Sequence, residues 1–356
     1  WDYPPALAGQ GTLSPPYRLG YPDRAREGRQ FCFAAEPYFR TFSNAVIHHV
    51  RETGVRFVKF DGGSYGCASA EHGHLPGPYA TERMHEQLIT LAQAARAVAP
   101  ELFVMWYWGL RSPFWAWHGD TIFESGLHME GSGTSPFPTL YYRDSVTLAQ
   151  DQNARHARLI PPLAKDNLGV WLADTRWGNF MGKERWREAL VMDLGRGSLL
   201  FPNLWGNLYH LDSQDVRFLS WITSLARQNQ SLFLHRRELP GDPFRNEVYG
   251  YAHGQGAHSF LFLNNASFQA RRAELLLDQS LGLDASPGTQ VSVVSHFPEN
   301  SRLARFDGSG YRLGDRLEVW LRPFEVLLLE VTPSAPDDSA WPARAITRER
   351  ALSLGQ

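Results

Sequence analysis

The sequence predicts an α/β domain followed by an antiparallel β-sandwich. Up to residue 232, short apolar strands alternate with helical stretches, the order typical of parallel βαβ units. After that point, short β-rich runs are separated by Gly, Asn and Pro, a pattern typical of a sandwich. We therefore divide the chain into an irregular segment (1–30), the α/β domain (31–232), the β-sandwich (233–333) and a loosely ordered tail (334–356).

The elements of the α/β domain follow from hydrophobic periodicity and from stop signals. Apolar residues at helical spacing predict helices that end at or near Gly54, Pro100 and Gly197. Continuous apolar runs between them predict buried strands. The predicted strands are 31–35, 55–63, 101–109, 120–126, 168–174 and 198–203. The predicted helices are 38–54, 82–100, 142–160, 182–197 and 212–229, with a short helical turn at 112–119.

Polar side chains follow several of these strands, among them Asp61, Glu124, Asp174 and Asn203. In a βα-barrel, such positions form the C-terminal face, where active sites lie. An open doubly wound sheet also binds its ligands at the carboxyl ends of the strands. The pattern alone does not separate the two architectures.

Composition excludes several classes of function. The 356 residues carry a formal net charge of −2, so neither a nucleic-acid partner nor a membrane surface is indicated. No apolar run is long enough to span a membrane, and two cysteines do not make a disulfide framework. The chain begins with Trp, from which we expect a processed or truncated N-terminus, and localisation is not predicted.

Aromatic residues make up 13% of the chain, including 12 tryptophans. For any single tryptophan, core packing is the first interpretation. As a group beside Gly, Asn and Asp, these rings also suit a sugar-binding cleft, because flat apolar rings cover the C–H face of a sugar.

The stretch FVKFDGG (57–63) places a carboxylate at the mouth of an apolar strand. A buried carboxylate is costly unless it is paired or lies at a wet site. Lys59 alternates with Asp61, so both side chains point to the same face of the strand. Gly62 and Gly63 leave room for a ligand to approach the backbone. An Asp that only caps the next loop is the alternative interpretation.

Three other kinds of site are disfavoured. DGGSYG (61–66) lacks the glycine spacing of a dinucleotide loop and does not open directly into a helix. Glu71, His72 and His74 form a polar loop rather than a metal site, because no matching His/Cys set follows them. No Gly-x-Ser-x-Gly lies on a strand-turn-helix, so the sequence lacks a serine nucleophile elbow. No metal or organic cofactor is predicted. Carboxylates in a cleft lined by aromatic side chains favour glycoside hydrolysis.

The motif Lys-x-Asp-Gly at a strand end resembles the nucleophile strand of the melibiase-type α-galactosidases, in glycoside hydrolase clan D (family 36-like). The order of the following segments (82–109, 111–123 and 141–146) and a terminal sandwich opening with VYGYA also resemble that family. The resemblance covers about residues 31–330. It rests on the order of elements more than on the short motif.

The resemblance implies a (β/α)8 TIM-type barrel, of which the predicted strands are strands three to eight. Strands one and two and the N-terminal sandwich of the relatives are then missing, which leaves an open sheet edge. We therefore expect either that the chain is part of a longer protein with an N-terminal domain, or that residues 1–30 and a partner chain, as in a homo-oligomer, cover the gap.

The resemblance also implies retaining hydrolysis of α-linked sugars, with Asp61 as the nucleophile and Lys59 bonded to a sugar hydroxyl. The general acid/base Asp of the relatives has no counterpart in DTIFESGLHMEGSG (120–133). Glu130 is the preferred substitute and Glu124 the next, with Asp174 a further candidate. The predicted sugar-binding residues are Lys59, Trp106, Trp108, Arg143, Asp144, Asp174 and Trp177.

The implied partner is a glycoside or oligosaccharide substrate. Two alternatives remain open. One is a glycosidase or transglycosidase for a different α-sugar. The other is a carbohydrate-binding relative that has lost its general acid and no longer turns over. For Arg143 and Asp144, a salt bridge or cap at a helix start is the alternative role.

Overall fold

The structure is a computed structural model that describes residues 31–61, 65–107, 110, 112–123, 151, 160, 162–166, 169–172, 183, 185–197, 199–304, 310–333 and 341–353. The chain divides into two compact units, residues 1–124 and residues 125–356. The domain boundaries expected at residues 30, 232 and 333 stay predictions. No helix in the described part of the chain is long and apolar enough to cross a membrane.

The first unit contains parallel βαβ units, as the sequence predicts. Strands β1, β2 and β3 lie side by side and parallel, with Lys59 opposite Met105 and Trp106 opposite Ile122. The elements are α1 (Glu36–Glu52), β1 (Phe57–Phe60), α2 (Pro78–Val98), β2 (Phe103–Trp106), a 3-10 helix (Pro113–Trp117) and β3 (Thr121–Phe123).

The apolar run at 31–35 has a single bridge residue, Phe31, followed by a turn, in place of the strand that the sequence predicts. The amide of Ala35 donates to the carbonyl of Cys32 at 3.1 Å, which closes the turn ahead of α1. Cys32, Ala34 and Ala35 are buried in a small cluster with Met84 of α2. Their apolar character therefore reflects packing under the helices rather than sheet pairing.

In the second unit, the described residues before the β-rich part form short strands and the helices α3 and α4. Strand β5 pairs in parallel with β6. The elements are β4 (Lys165–Asp166), β5 (Val170–Trp171), α3 (Trp186–Arg196), β6 (Leu204–Trp205) and α4 (Ser213–Gln228). The strand predicted at 198–203 is instead β6, because Pro202 has no N–H to give to a ladder and pairing starts only at Leu204. Helix α4 begins with a capping box between Asp212 and Asp215.

A largely antiparallel sheet completes the second unit, in the order β16-β12-β11-β15-β9-β8-β7, with β13 also paired to β11. Its pair β12–β16 is parallel. The bounds are β7 (Arg236–Glu238), β8 (Tyr249–Gln255), β9 (His258–Asn264), β10 (Arg271–Leu276), β11 (Gln290–Phe297), β12 (Ser301–Leu303), β13 (Tyr311–Arg312), β14 (Arg316–Leu321), β15 (Val326–Thr332) and β16 (Ala343–Arg344). Strands β10 and β14 form a second, two-stranded sheet, and both sheets contribute to one apolar core.

Part of the predicted tail packs on this core. Residues 341–353 contain β16 and the short helix α5 (Arg348–Leu352), and Ile346 and Ala351 are buried. Arg350 of α5 forms an ion pair with Glu325 at 2.8 Å. The expectation of a loose tail is thus corrected for these residues, because their apolar side chains complete the sheet core.

The described residues do not show a closed barrel. They show parallel strands β1–β3 in one unit and the parallel pair β5–β6 in the other. The mixed α/β class is therefore confirmed.

A buried charge network connects α3 to the sheet within the second unit. Arg196 donates from Nε to Asp151 Oδ1 at 2.9 Å and from Nη1 to Asp193 Oδ1 at 3.0 Å. Tyr249 and Tyr251 donate their hydroxyls to Asp151. Asp151 is thus well paired, whereas Oδ2 of Asp193 has no hydrogen-bond partner among the described residues. One guanidinium cannot neutralise both acids.

Asp193 makes stability depend on pH. Burial raises its pKa from 3.8 to about 7; Arg196 opposes this rise, and Asp166 and Asp151 add to it. Folding therefore takes up a proton between about pH 4 and pH 7, and the free energy of unfolding falls by a few kcal/mol, on the order of 1.4 per pH unit, as pH rises through that window.

We expect Asp193→Asn, which keeps an oxygen for Arg196, to be more stable than the parent above pH 7 and equally stable below pH 4. Urea unfolding at a series of pH values measures this difference. The exposed control Glu299→Gln leaves the profile of the parent unchanged. A parent and an Asp193→Asn variant with parallel pH profiles would contradict the assignment.

Candidate functional site

Lys59 and Asp61 lie together at the carboxyl end of β1. As the alternation predicts, both side chains are on the same face, and Lys59 Nζ lies 2.8 Å from Asp61 Oδ2. The side chain of Lys59 is 22% exposed and that of Asp61 is 37% exposed. The carboxylate therefore has both a cationic partner and access from solvent.

Tyr107 lies beneath the lysine. Lys59 is in register with Met105. Tyr107, two residues after Met105, is therefore on the same face of the sheet as Lys59 and nearer the carboxyl end of the strands. The Lys59 ammonium lies 3.7 Å from the centroid of the Tyr107 ring, close enough for a cation–π contact. Because Tyr107 is buried, its ring is a fixed platform that holds the lysine beside Asp61.

Tyr65 is a second phenol influenced by the same carboxylate. Burial raises the pKa of Tyr65 above its ordinary value of 10.0, and the negative charge of Asp61 raises it further. Its hydroxyl therefore stays neutral near pH 7. The backbone carbonyl of Tyr65 accepts a hydrogen bond from Thr81 at 2.6 Å, which fixes this position to the start of α2.

Trp106 is on the other face of its strand, which corrects its assignment to the sugar-binding surface. It is in register with Phe60, and the two rings stack with centroids 5.0 Å apart. Trp115 packs on it at 4.9 Å, and Trp106 has no exposed surface. Alternation along β2 therefore places Tyr107 at the site, and Trp106 contributes to the core.

The other predicted site residues lie outside the described residues. They are the acid/base candidates Glu130 and Glu124 and the predicted sugar contacts Trp108, Arg143, Asp144, Asp174 and Trp177. Their roles stay predictions. Of the predicted set, the described structure brings together only Lys59 and Asp61.

A second polar cluster lies in the segment after β1. Cys67, His72 and His74, all in the loop that leads to α2, meet Cys32, which precedes α1. Cys32 Sγ lies 3.0 Å from His74 Nε2, and Cys67 Sγ lies 3.2 Å from His72 Nδ1. These four side chains are the group among the described residues that is suited to hold a metal ion.

The arrangement at β1 is suited to carboxylate chemistry on a polar organic molecule. A half-exposed carboxylate can attack a carbon centre or accept a hydroxyl proton, and the adjacent ammonium can donate to an oxygen of the same molecule. The buried ring of Tyr107 supplies an apolar floor. The described residues alone do not provide the second carboxyl group that hydrolysis needs.

Comparison with known proteins gives structural but not sequence relatives. No family matches the sequence, and no curated protein matches it. A GH27 β-L-arabinopyranosidase from Geobacillus stearothermophilus has a similar structure, with 14% identity and a TM-score of 0.52 over 87% of this chain and 65% of its own. A GH36 α-galactosidase from the same organism gives 11% identity and a TM-score of 0.55 over 89% of this chain and 42% of its own.

An α-amylase from Geobacillus thermoleovorans, complexed with acarbose, is also similar, with 10% identity and a TM-score of 0.53 over 85% of this chain and 66% of its own. These neighbours are glycoside hydrolases, and the α-galactosidase and the α-amylase are barrel enzymes with C-terminal β domains. At these identities the likeness establishes the fold alone. The chain spans less than two thirds of the length of the first two neighbours and about two thirds of the third.

Proposed function

We propose that the chain is a retaining glycoside hydrolase that acts on α-linked sugars, is similar to α-galactosidases, and is built on a (β/α) barrel. The observation that carries this proposal is the Lys59–Asp61 pair at the carboxyl end of a parallel strand, 2.8 Å apart and open to solvent. The carboxyl ends of parallel strands are where α/β enzymes place their reacting groups.

In the proposed reaction, an oxygen of Asp61 attacks the anomeric carbon while a second carboxyl group, Glu130 or Glu124, protonates the leaving oxygen. A covalent glycosyl-enzyme forms, and the leaving alcohol departs. The same second carboxylate then removes a proton from water, which attacks the anomeric carbon and releases Asp61. Two inversions give net retention of configuration.

The galacto configuration is the first substrate class to test. One neighbour is an α-galactosidase and another is a β-L-arabinopyranosidase. These two sugars have the same ring stereochemistry, and L-arabinopyranose only lacks the exocyclic CH2OH group. A further structure of a Geobacillus stearothermophilus α-galactosidase contains raffinose. The α-amylase structure contains acarbose, so α-glucosides are the natural substrates for comparison.

The test is hydrolysis of a panel of 4-nitrophenyl glycosides: α-D-galactoside, β-L-arabinopyranoside and α-D-glucoside. The anomer formed first is identified by proton NMR. We expect hydrolysis of at least one substrate with retention of configuration. Inversion would contradict the double displacement.

A carbohydrate-binding relative is the second candidate, because the acid/base Asp of the resembling family has no counterpart in residues 120–133. Its expected result is binding of the sugars without turnover, even of activated substrates that scarcely need an acid. Calorimetric titration with D-galactose and raffinose detects this outcome. A folded chain that neither cleaves nor binds any member of the panel would contradict both functions.

Lys59 provides a prediction on substrate binding. An ammonium bonded to a sugar hydroxyl contributes about 1.5–3 kcal/mol, so Lys59→Met is expected to lower kcat/KM by about 10- to 100-fold. If the bond is present in both ground and transition states, most of the effect is a higher KM. Arg56→Met, directly before the start of β1 and thus at the end away from Asp61, is the control and keeps kcat/KM within about twofold. Unchanged kinetics in Lys59→Met would remove Lys59 from the site.

A further inference from the structure

The cluster of Cys32, Cys67, His72 and His74, named here the Cys/His cluster, has the dimensions of a metal site. Its four ligand atoms, one from each side chain, all lie within 4.8 Å of one another. Zinc bonds of about 2.3 Å to sulfur and 2.0–2.1 Å to nitrogen imply ligand–ligand edges of about 3.3–3.8 Å in a tetrahedron. The cluster reaches that geometry with movements of less than about 1 Å.

The hydrogen bonding of His74 leaves the correct nitrogen for a metal. Its Nδ1 lies 2.9 Å from the carbonyl oxygen of Leu75, and a carbonyl can only accept. Nδ1 therefore carries the hydrogen, and the lone pair of Nε2 points towards Cys32 Sγ. Metal-binding histidines usually donate their second ring N–H in this way, which fixes both tautomer and ring orientation.

The backbone holds the ligands in one place. Gly73, between the two histidines, has φ +75°, a conformation that allows the chain to reverse so that both rings face the cysteines. The amide of Gly77 donates to the carbonyl of Cys67 at 2.7 Å and closes the loop at the start of α2. The fourth ligand, Cys32, comes from a separate segment.

Burial and charge both favour a divalent cation. Cys32 and Cys67 have no exposed surface, His72 is 7% exposed, and His74 is half-buried. Two thiolates and two neutral imidazoles carry a total charge of −2, which a divalent cation neutralises, so the occupied site can be buried without a net charge. Soft sulfur with imidazole nitrogen in a tetrahedron is the donor set that selects zinc.

We propose that the Cys/His cluster binds one Zn²⁺ as a structural site. Four protein ligands leave no open coordination position, which is the arrangement of structural rather than catalytic zinc. The metal would tie the segment before α1 to the loop that begins directly after Asp61 and leads to α2. This corrects the prediction that Glu71, His72 and His74 form only a polar loop, because the matching cysteines are supplied by Cys32 and Cys67 and not by residues that follow.

The first experiment measures metal content. The chain is purified without a polyhistidine tag, dialysed against metal-free buffer and analysed by inductively coupled plasma mass spectrometry, before and after incubation with Zn²⁺ under reducing conditions. We expect about one zinc per chain. Co²⁺ in place of Zn²⁺ is expected to give the visible bands of a tetrahedral ion and a near-ultraviolet thiolate charge-transfer band.

The variants Cys32→Ser, Cys67→Ser and His74→Ala remove single ligands. Each should weaken zinc affinity by at least about 100-fold. Even replacing a residue that hydrogen-bonds to a metal ligand lowers metal affinity by about 10- to 100-fold. His48→Ala, an exposed histidine on α1, is the control and keeps the zinc of the parent. His74 is the least buried ligand, so His74→Ala is the variant expected to stay folded, and circular dichroism checks this.

Two results would overturn the proposal. One is a reduced, folded parent chain that binds neither added Zn²⁺ nor Co²⁺. The other is a Cys32–Cys67 disulfide in the freshly purified chain, seen as a mass 2 Da lower (two hydrogens) and as thiols that titrate only after reduction. Metal content is measured without any glycoside, so its outcome is independent of whether the chain is a hydrolase.

Discussion

Asp61→Asn is expected to abolish turnover of the activated glycosides, with a loss of roughly 10⁴-fold or more in kcat, since removal of a nucleophile costs about this much in enzymes with a covalent intermediate. The amide has the shape of the carboxylate but cannot form a stable glycosyl ester. The fold should survive, because Asp61 is 37% exposed and its ion pair with Lys59 contributes at most about 1 kcal/mol.

The variant Asp61→Gly, with the smallest side chain, distinguishes loss of the nucleophile from a disrupted active site. It opens a space for azide, which is expected to restore cleavage of the α-glycoside and to give the β-glycosyl azide. Glu52→Gln, an exposed carboxylate at the end of α1, is the matched control and keeps full activity. Asp61→Asn with activity within about tenfold of the parent would remove Asp61 as the nucleophile.

Of the variants named here, Arg196→Met is expected to lose the most stability, about 3–5 kcal/mol in the free energy of unfolding. Removing one partner of a buried ion pair leaves an uncompensated charge. Arg196 is 2% exposed and is the cation bonded to both Asp151 and Asp193. Asp151 keeps the hydroxyls of Tyr249 and Tyr251, which stabilise its charge only in part.

Urea unfolding followed by tryptophan fluorescence measures this loss. Adding Asp151→Asn and Asp193→Asn to Arg196→Met should recover part of it, since the two acids that lost their shared cation are then neutral. Arg245→Met is the control: this side chain is 78% exposed, its contact with Asp242 is 3.9 Å long, and its loss should cost less than about 1 kcal/mol. If Arg196→Met costs no more than Arg245→Met, the network is not a significant source of stability.

Hydrophobic periodicity was sufficient to predict the βαβ order of the first unit, and alternation was sufficient to place Lys59 and Asp61 on one face. The same alternation would have excluded Trp106 and selected Tyr107. The sequence alone leaves the start of β2 uncertain, and a shift of one residue exchanges the two faces of the strand.

Contacts between distant segments could not be predicted in this way. The Cys/His cluster combines Cys32 with a loop more than thirty positions away, so no spacing rule along one segment finds it. The charge network likewise combines Asp151 with α3 and β8. The strand expected at 198–203 was displaced because an apolar run indicates a buried segment without fixing where its pairing starts, although Pro202 could have excluded pairing at its own position.

Asp61 is proposed to form a covalent bond to the sugar, and trapping of that bond is the most direct test. The chain is treated with an α-galacto-configured cyclitol epoxide, which a retaining nucleophile opens irreversibly, and is then digested with trypsin and sequenced by mass spectrometry. We expect one label per chain, on Asp61 in the peptide 60–83, with none in Asp61→Asn. Labelling of a different carboxylate, or turnover without any labelling, would contradict the assignment of Asp61 as the nucleophile.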